Sequence, residues 1–199
     1  MSRDLLSPAT TTLAALVRGV RDEQLDAVTP CGGLTVGALL DHIDSLSLAF
    51  AAAGRKERLP DGGSAPTPDA SRLGHDWRER LPGQLDALAE AWATAAAWDG
   101  TTQVGGGEMP AAVAGAAALD EVLVHGWEVA VATGRAYPGE DPALAEGLGT
   151  AFAWVQGVAG QNPEGTPGLF GPALPAAQDA PLFHQLLALT GRDPGWRPA

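Results

Sequence analysis

Glu121 and His125 stand four residues apart in a segment of helical periodicity, so both side chains leave one face and their ends can close on a single cation. His42 lies in a separate helical segment. Its neighbours three before and four after are Leu39 and Leu46, which turns the imidazole towards a bundle interior or its rim and makes it a natural third ligand. Two imidazoles and one carboxylate suit zinc, with nickel as the other ion, and three protein ligands leave one position for water or a substrate atom. The same residues also have a plainer use: a histidine at a bundle edge hydrogen-bonds to a neighbour, and a Glu/His pair at this spacing supports its own helix. The interval is not the Glu-x-x-His of di-iron bundles, and the motif occurs once, which disfavours a dinuclear site.

Glu128, seven residues beyond Glu121, returns to the ligand face. It could act in catalysis as a proton shuttle, accept a hydrogen bond from a ligating histidine, or sit as a polar residue at a cavity mouth. Ala114, Ala117 and Ala118 precede the ligands on this face, and their small side chains predict a cavity beside them. Cys31 precedes a helix start and reads as packing a turn. His75 and His184 have no ligand partner at helical spacing and read as solvated surface. Trp92 and Trp127 read as core, and Gly105-Gly106-Gly107 as a hinge or turn, since no phosphate-loop lysine follows.

The elements that position these residues are helices. Leu13, Leu16, Val17 and Val20 line a first, starting near Pro8. Thr35 caps a second that carries Val36, Leu39, Leu40, Ile43, Leu46 and Phe50 and ends before Gly54. Residues 55–70 form a Pro/Gly-rich loop. A third helix carries Trp77, Leu81, Leu85, Leu88 and Trp92 up to a break near Gly100, with Pro82 as a kink or a fresh start. A strand-like link from Thr101 to Glu108 leads to a fourth, from Pro110 to Thr133, stopped by Gly134. Asp141-Pro142 opens a fifth, running to Gly160. A loop from Asn162 to Ala177, a short helix from Pro181 to Thr190 and a turn through Trp196 complete the chain. The pattern predicts an all-α, up-down four-helix bundle in residues 1–134, with a C-terminal helical extension in 135–199 packed on the same domain.

The chain has 199 residues, 45% of them hydrophobic and 18% charged, enough for one packed domain. Twelve basic residues against 24 acidic ones leave a net charge of −12, which repels nucleic acid and anionic lipid. A single cysteine excludes internal disulfides and thiolate-cage zinc sites. The early Asp4 and the absence of a basic-then-apolar start predict no secretory leader, and the most apolar stretch, Met109 to Leu119, is too short to span a bilayer. These features predict a soluble, cytoplasmic protein without membrane or nucleic-acid partners. Bundles of this type can pair through exposed faces, so a homodimer is compatible with the sequence.

Thr29-Pro30-Cys31-Gly32-Gly33-Leu34-Thr35-Val36 leading to Leu40-Asp41-His42, Gly107-Glu108-Met109-Pro110, Glu121-Val122-Leu123-Val124-His125-Gly126-Trp127-Glu128 and Thr133-Gly134 resemble an actinobacterial metal-binding family. That family is related to the mycothiol-dependent maleylpyruvate isomerase N-terminal domain, of the DinB-like superfamily. The ending Leu189-Thr190-Gly191-Arg192-Asp193-Pro194-Gly195-Trp196 is similar to the same family's, so the resemblance spans nearly the whole chain. It implies a DinB-like four-helix bundle holding one divalent ion, usually zinc, on His42, Glu121 and His125. It also implies a low-molecular-weight thiol such as mycothiol, which the ion activates or whose substrate it orients. Leu34 replaces the family's usual tryptophan. The isomerase also carries a sterol-carrier-like second domain, and the residues after Gly134 are too few and too differently patterned to form one.

Three functions follow from this reading. The first is a thiol-dependent transferase or isomerase acting on a small electrophile at a single metal ion. The second is a non-catalytic protein that uses the same ion to sense or sequester a small molecule. The third is an interaction bundle with no functional metal.

Overall fold

A computed structural model describes residues 4–60 and 62–198. Its helices are α1 (Ser7–Arg18), α2 (Val36–Gly54), α3 (Trp77–Trp92), α4 (Ala95–Trp98), α5 (Ala111–Ala132), α6 (Ala145–Gln161) and α7 (Leu182–Leu189), with one hairpin, β1 (Thr101–Val104) and β2 (Gly107–Pro110). Four of them close a ring: α1 packs on α3 and α5, and α2 packs on the same two. The mostly helical four-helix bundle is therefore observed, with α6 laid along α5 and α7 along α6.

Local chemistry explains most boundaries. Thr35 caps α2 by accepting a hydrogen bond from the Ala38 N–H at 3.3 Å, and Asp141 accepts from Ala143 N at 2.9 Å to open a 3-10 turn ahead of α6. For the third helix the expected end is corrected, and of the two alternatives at Pro82 the fresh start falls away. The helix runs unbroken through Pro82, whose ring is buried, and it ends at Trp92 rather than near Gly100. The separate turn of α4 follows, and its Trp98 folds back to donate to the Trp92 carbonyl at 2.8 Å. The link to α5 is an antiparallel hairpin whose turn residues Gly105 and Gly106 hold φ of +64° and +84°, as a tight two-residue connection requires.

The core comprises the facing apolar stripes of the ring, including Leu13, Leu39, Leu40, Leu81, Leu85, Leu88, Leu119 and Leu123, with Trp77, Trp92 and Trp127 buried among them. By length and hydropathy α2 is also long and apolar enough to cross a membrane, although two thirds of that stretch is buried inside the bundle (67%). Its acidic residues lock the outer loop. The buried Asp41 receives Arg72 Nη2 at 2.6 Å and Asp69 N at 2.9 Å, and Asp44 pairs with Arg80 of α3. These bonds fix the rotation of α2, and with it the direction in which His42 projects.

Candidate metal centre

His42 from α2 meets Glu121 and His125 from α5 at the bundle rim, with one potential ligand atom of each within 4.8 Å of the others. The two imidazole rings stand edge to face, 5.1 Å between centroids. His125 Nε2 lies 2.8 Å from Glu121 Oε2, while Nδ1 lies 2.6 Å from Glu128 Oε2. Glu128 is fully buried, so its expected place at a cavity mouth is corrected: one oxygen takes His125, and the other accepts from Arg192 Nε at 2.9 Å.

Arg192 is the site residue that side-chain spacing missed. It follows α7, whose C-terminus closes with Gly191 N–H donating to the Ala188 carbonyl and Arg192 N–H to that of Leu187. This cap needs a left-handed residue at Gly191, which has φ of +81°. A side chain there would also stand 3.0 Å from the Gly171 backbone. The reversal turns the guanidinium back towards α5, where Nη1 donates to the Thr190 carbonyl at 2.8 Å and Nη2 faces Cys31 Sγ at 3.8 Å. A helix-ending glycine followed by arginine was the available signal.

Cys31 does belong to a locked turn, yet it is more than packing. Thr29 donates both its N–H and its hydroxyl to the Leu34 carbonyl, and Cys31 N–H donates to Thr29 Oγ1. Gly32 and Gly33 at positive φ complete the corner. The thiol, half-buried, then stands at the wall of a cleft of about 500 Å³ that also takes in His42, Asp120, Glu121, His125, Phe170 and Arg192.

The cleft lies on the Asp120–Val124 side of α5. The expected cavity beside the ligands is therefore present, but Ala114, Ala117 and Ala118 do not line it. On the Ala118 side, Leu13, Ile43, Phe50 and Leu88 fill the space and leave a void of only about 10 Å³. A larger hollow of about 780 Å³ is lined by Trp127, Tyr137 and Phe183, and none of the three proposed ligands borders it. His75 and His184 are exposed, as read.

The carboxylates of Glu121 and Glu128 and the two imidazoles set the charge of the site. Burial, with His125 beside it, lowers the His42 pKa and so favours the neutral ring. Burial works against a charged His125, but the Glu128 carboxylate and the hydrogen bonds that His125 makes to Cys31, Glu121 and Glu128 outweigh it and raise its pKa well above the usual imidazole range. Burial likewise opposes ionisation of Glu121 and Glu128, yet His125 beside both, with Arg192 on Glu128, holds both carboxyls below their ordinary values. Asp120 differs: burial, then the charge of Glu121, pushes its carboxyl well above the ordinary range.

The residues fit a divalent ion. Zinc bonds of about 2.0–2.2 Å place tetrahedral ligand atoms about 3.3 Å apart, and the donor atoms here already stand within 4.8 Å of one another. His42 has a buried ring nitrogen, Nδ1, with no hydrogen-bond partner among the described residues. With Nδ1 of His125 engaged by a buried carboxylate, Nε2 is the nitrogen offered to an ion, an arrangement common to ligating histidines.

Comparison with known proteins agrees with this architecture. Residues 6–130 match the family described as the mycothiol maleylpyruvate isomerase N-terminal domain. Two uncharacterized proteins from two strains of Mycobacterium tuberculosis are each 29% identical over 184 residues, covering 90% of this chain and 91% of theirs. Among solved structures, the mycothiol-dependent maleylpyruvate isomerase aligns over 96% of this chain and 88% of its own, with TM-score 0.63 and 18% identity. A mutant of that isomerase with one histidine changed to alanine aligns over 94% of this chain and 87% of its own, with TM-score 0.63 and 16% identity. The likeness in fold thus runs well past Gly134, over nearly the whole chain.

Proposed function

The chain belongs to the mycothiol maleylpyruvate isomerase N-terminal domain family, and on that premise we propose that it is a divalent-metal protein, zinc first and nickel second, that uses a low-molecular-weight thiol of the mycothiol type to transfer to, or isomerise, a small electrophile. The observation that carries this reading is the convergence of His42, Glu121 and His125 on the wall of an open cleft, with His125 held from behind by a buried carboxylate. Such an ion, when bound, favours the thiolate form of a thiol ligand, which is the nucleophilic form.

The chain's own residues supply the rest. His42, Glu121 and His125 bind from the 1–134 bundle. Glu128 acts as a positioning residue: fully buried between His125 and Arg192, it holds the imidazole in one tautomer and one orientation. Arg192 from the 135–199 extension holds Glu128. Val124, Leu169 and Phe170 give the cleft an apolar side for a small carbon skeleton, and its opening between residues 30–32, 168–171 and 190–192 admits a thiol and an electrophile together.

Metal analysis and turnover test this reading in sequence. Purified protein is expected to hold near-stoichiometric zinc or nickel, lost in His42→Ala and His125→Ala, and the loaded protein to exceed the rate of free metal plus thiol on a panel of electrophiles. Metal-free wild type overturns the proposal. Saturable thiol binding without turnover replaces it with a metal-dependent binding protein.

A further inference from the structure

Asp120 precedes Glu121 on α5 and lines the same cleft, but the arrangement above makes no use of it. Its side chain is 3% exposed, and Oδ1 is buried without a hydrogen-bond partner among the described residues. The nearby cation acts on it through space but makes no hydrogen bond to it among the described residues. Arg192 commits Nε to Glu128, Nη1 to the Thr190 carbonyl and Nη2 towards Cys31, and no ion pair joins it to Asp120. Of the rest of the wall, Val124, Leu169 and Phe170 are apolar, Gly168, Gly171 and Gly191 have no side chains, and Thr190 gives its hydroxyl to the Leu187 carbonyl. A buried carboxyl oxygen without a partner lowers the stability of the free protein, so such groups persist where a ligand completes them.

We propose that Asp120 recognises a hydroxyl group on the thiol that enters this cleft, which makes it the specificity-determining residue for hydroxylated over plain alkyl thiols. The inference rests on the thiol reading above and adds the chemical class of that thiol. A hydroxyl suits the position because it donates to an ionised carboxyl oxygen and accepts from a protonated one. A carboxylate on the ligand would face Asp120 and Glu121 in the same wall, and an ammonium would face Arg192. A neutral group that both donates and accepts meets neither conflict.

The test is calorimetric titration of the zinc-loaded protein with 1-thioglycerol and with propane-1-thiol, which differ only in two hydroxyls. Wild type is expected to bind 1-thioglycerol about tenfold more tightly, the worth of one good hydrogen bond to a carboxyl. Asp120→Leu, of similar shape, should bind the two thiols alike while retaining zinc and melting no lower than wild type, because it strands no partner. Asp120→Asn should keep most of the preference. Equal affinities in wild type, or a preference undiminished in Asp120→Leu, would overturn the inference and leave the thiol reading standing. Zinc-loaded wild type that binds neither thiol would overturn both. If Asp120→Leu fails to fold, Asp120→Ala takes its place, and equal affinities in wild type overturn the inference on their own.

Discussion

The two walls of the cleft are built differently. One is helical: α2 and α5 present His42, Glu121 and His125 from regular positions inside a four-helix ring. The other is made of turns, with Cys31 in the Thr29–Leu34 corner, Phe170 and Gly171 in a loop, and Arg192 just beyond α7. The helical wall owes its precision to the packed core and can hold donor atoms to the tolerance an ion demands. The turn-built wall is held by a few backbone bonds and one close glycine contact, and it reaches the helical wall through the bridge from Arg192 to Glu128 to His125. Ion binding should therefore depend mainly on the helices, and binding of the second molecule on the turns together with Asp120 of α5.

Substitutions graded across the bridge can break that comparison. His125→Ala removes a ligand and leaves Glu121 and Glu128 without their shared partner. It should abolish metal binding in elemental analysis and cost about 3–5 kcal/mol in denaturant unfolding. Glu128→Gln keeps the shape but loosens the histidine, so a chelator competition should show metal affinity reduced about 10- to 100-fold. Arg192→Met acts one step further out: metal affinity should fall less than about tenfold, with the larger effect on thiol binding. If Arg192→Met costs more metal affinity than Glu128→Gln, the division of labour is wrong. His184→Ala, on an exposed position outside both walls, should change neither metal content nor stability by more than about 0.5 kcal/mol.

The sequence made the helical wall legible because helices convert spacing into direction. The interval between Glu121 and His125, the apolar flanks of His42 and the Thr35 cap were enough to bring those residues to one rim. The turn-built wall was not legible in the same way. Arg192 reaches Glu128, 64 residues earlier, only because Gly191 reverses the chain and packs on Gly171, and no local period encodes that contact. The cavity was misplaced for a related reason: the alanines of α5 suggest room on their own, but Leu13, Ile43, Phe50 and Leu88 from three other helices occupy it. Pro82 shows the reverse, where the apolar period of α3 carried the helix through a residue that removes one of its hydrogen bonds. The match to the family over residues 6–130 covers the helical wall, and Arg192 lies beyond it.

Anomalous diffraction at the zinc edge, from crystals grown with the metal, addresses the central claim most directly. The account predicts one peak within about 2.0–2.2 Å of a ring nitrogen of His42, Nε2 of His125 and a Glu121 oxygen, with Nδ1 of His125 still held by Glu128. A peak elsewhere, or none with the three side chains turned apart, would contradict it.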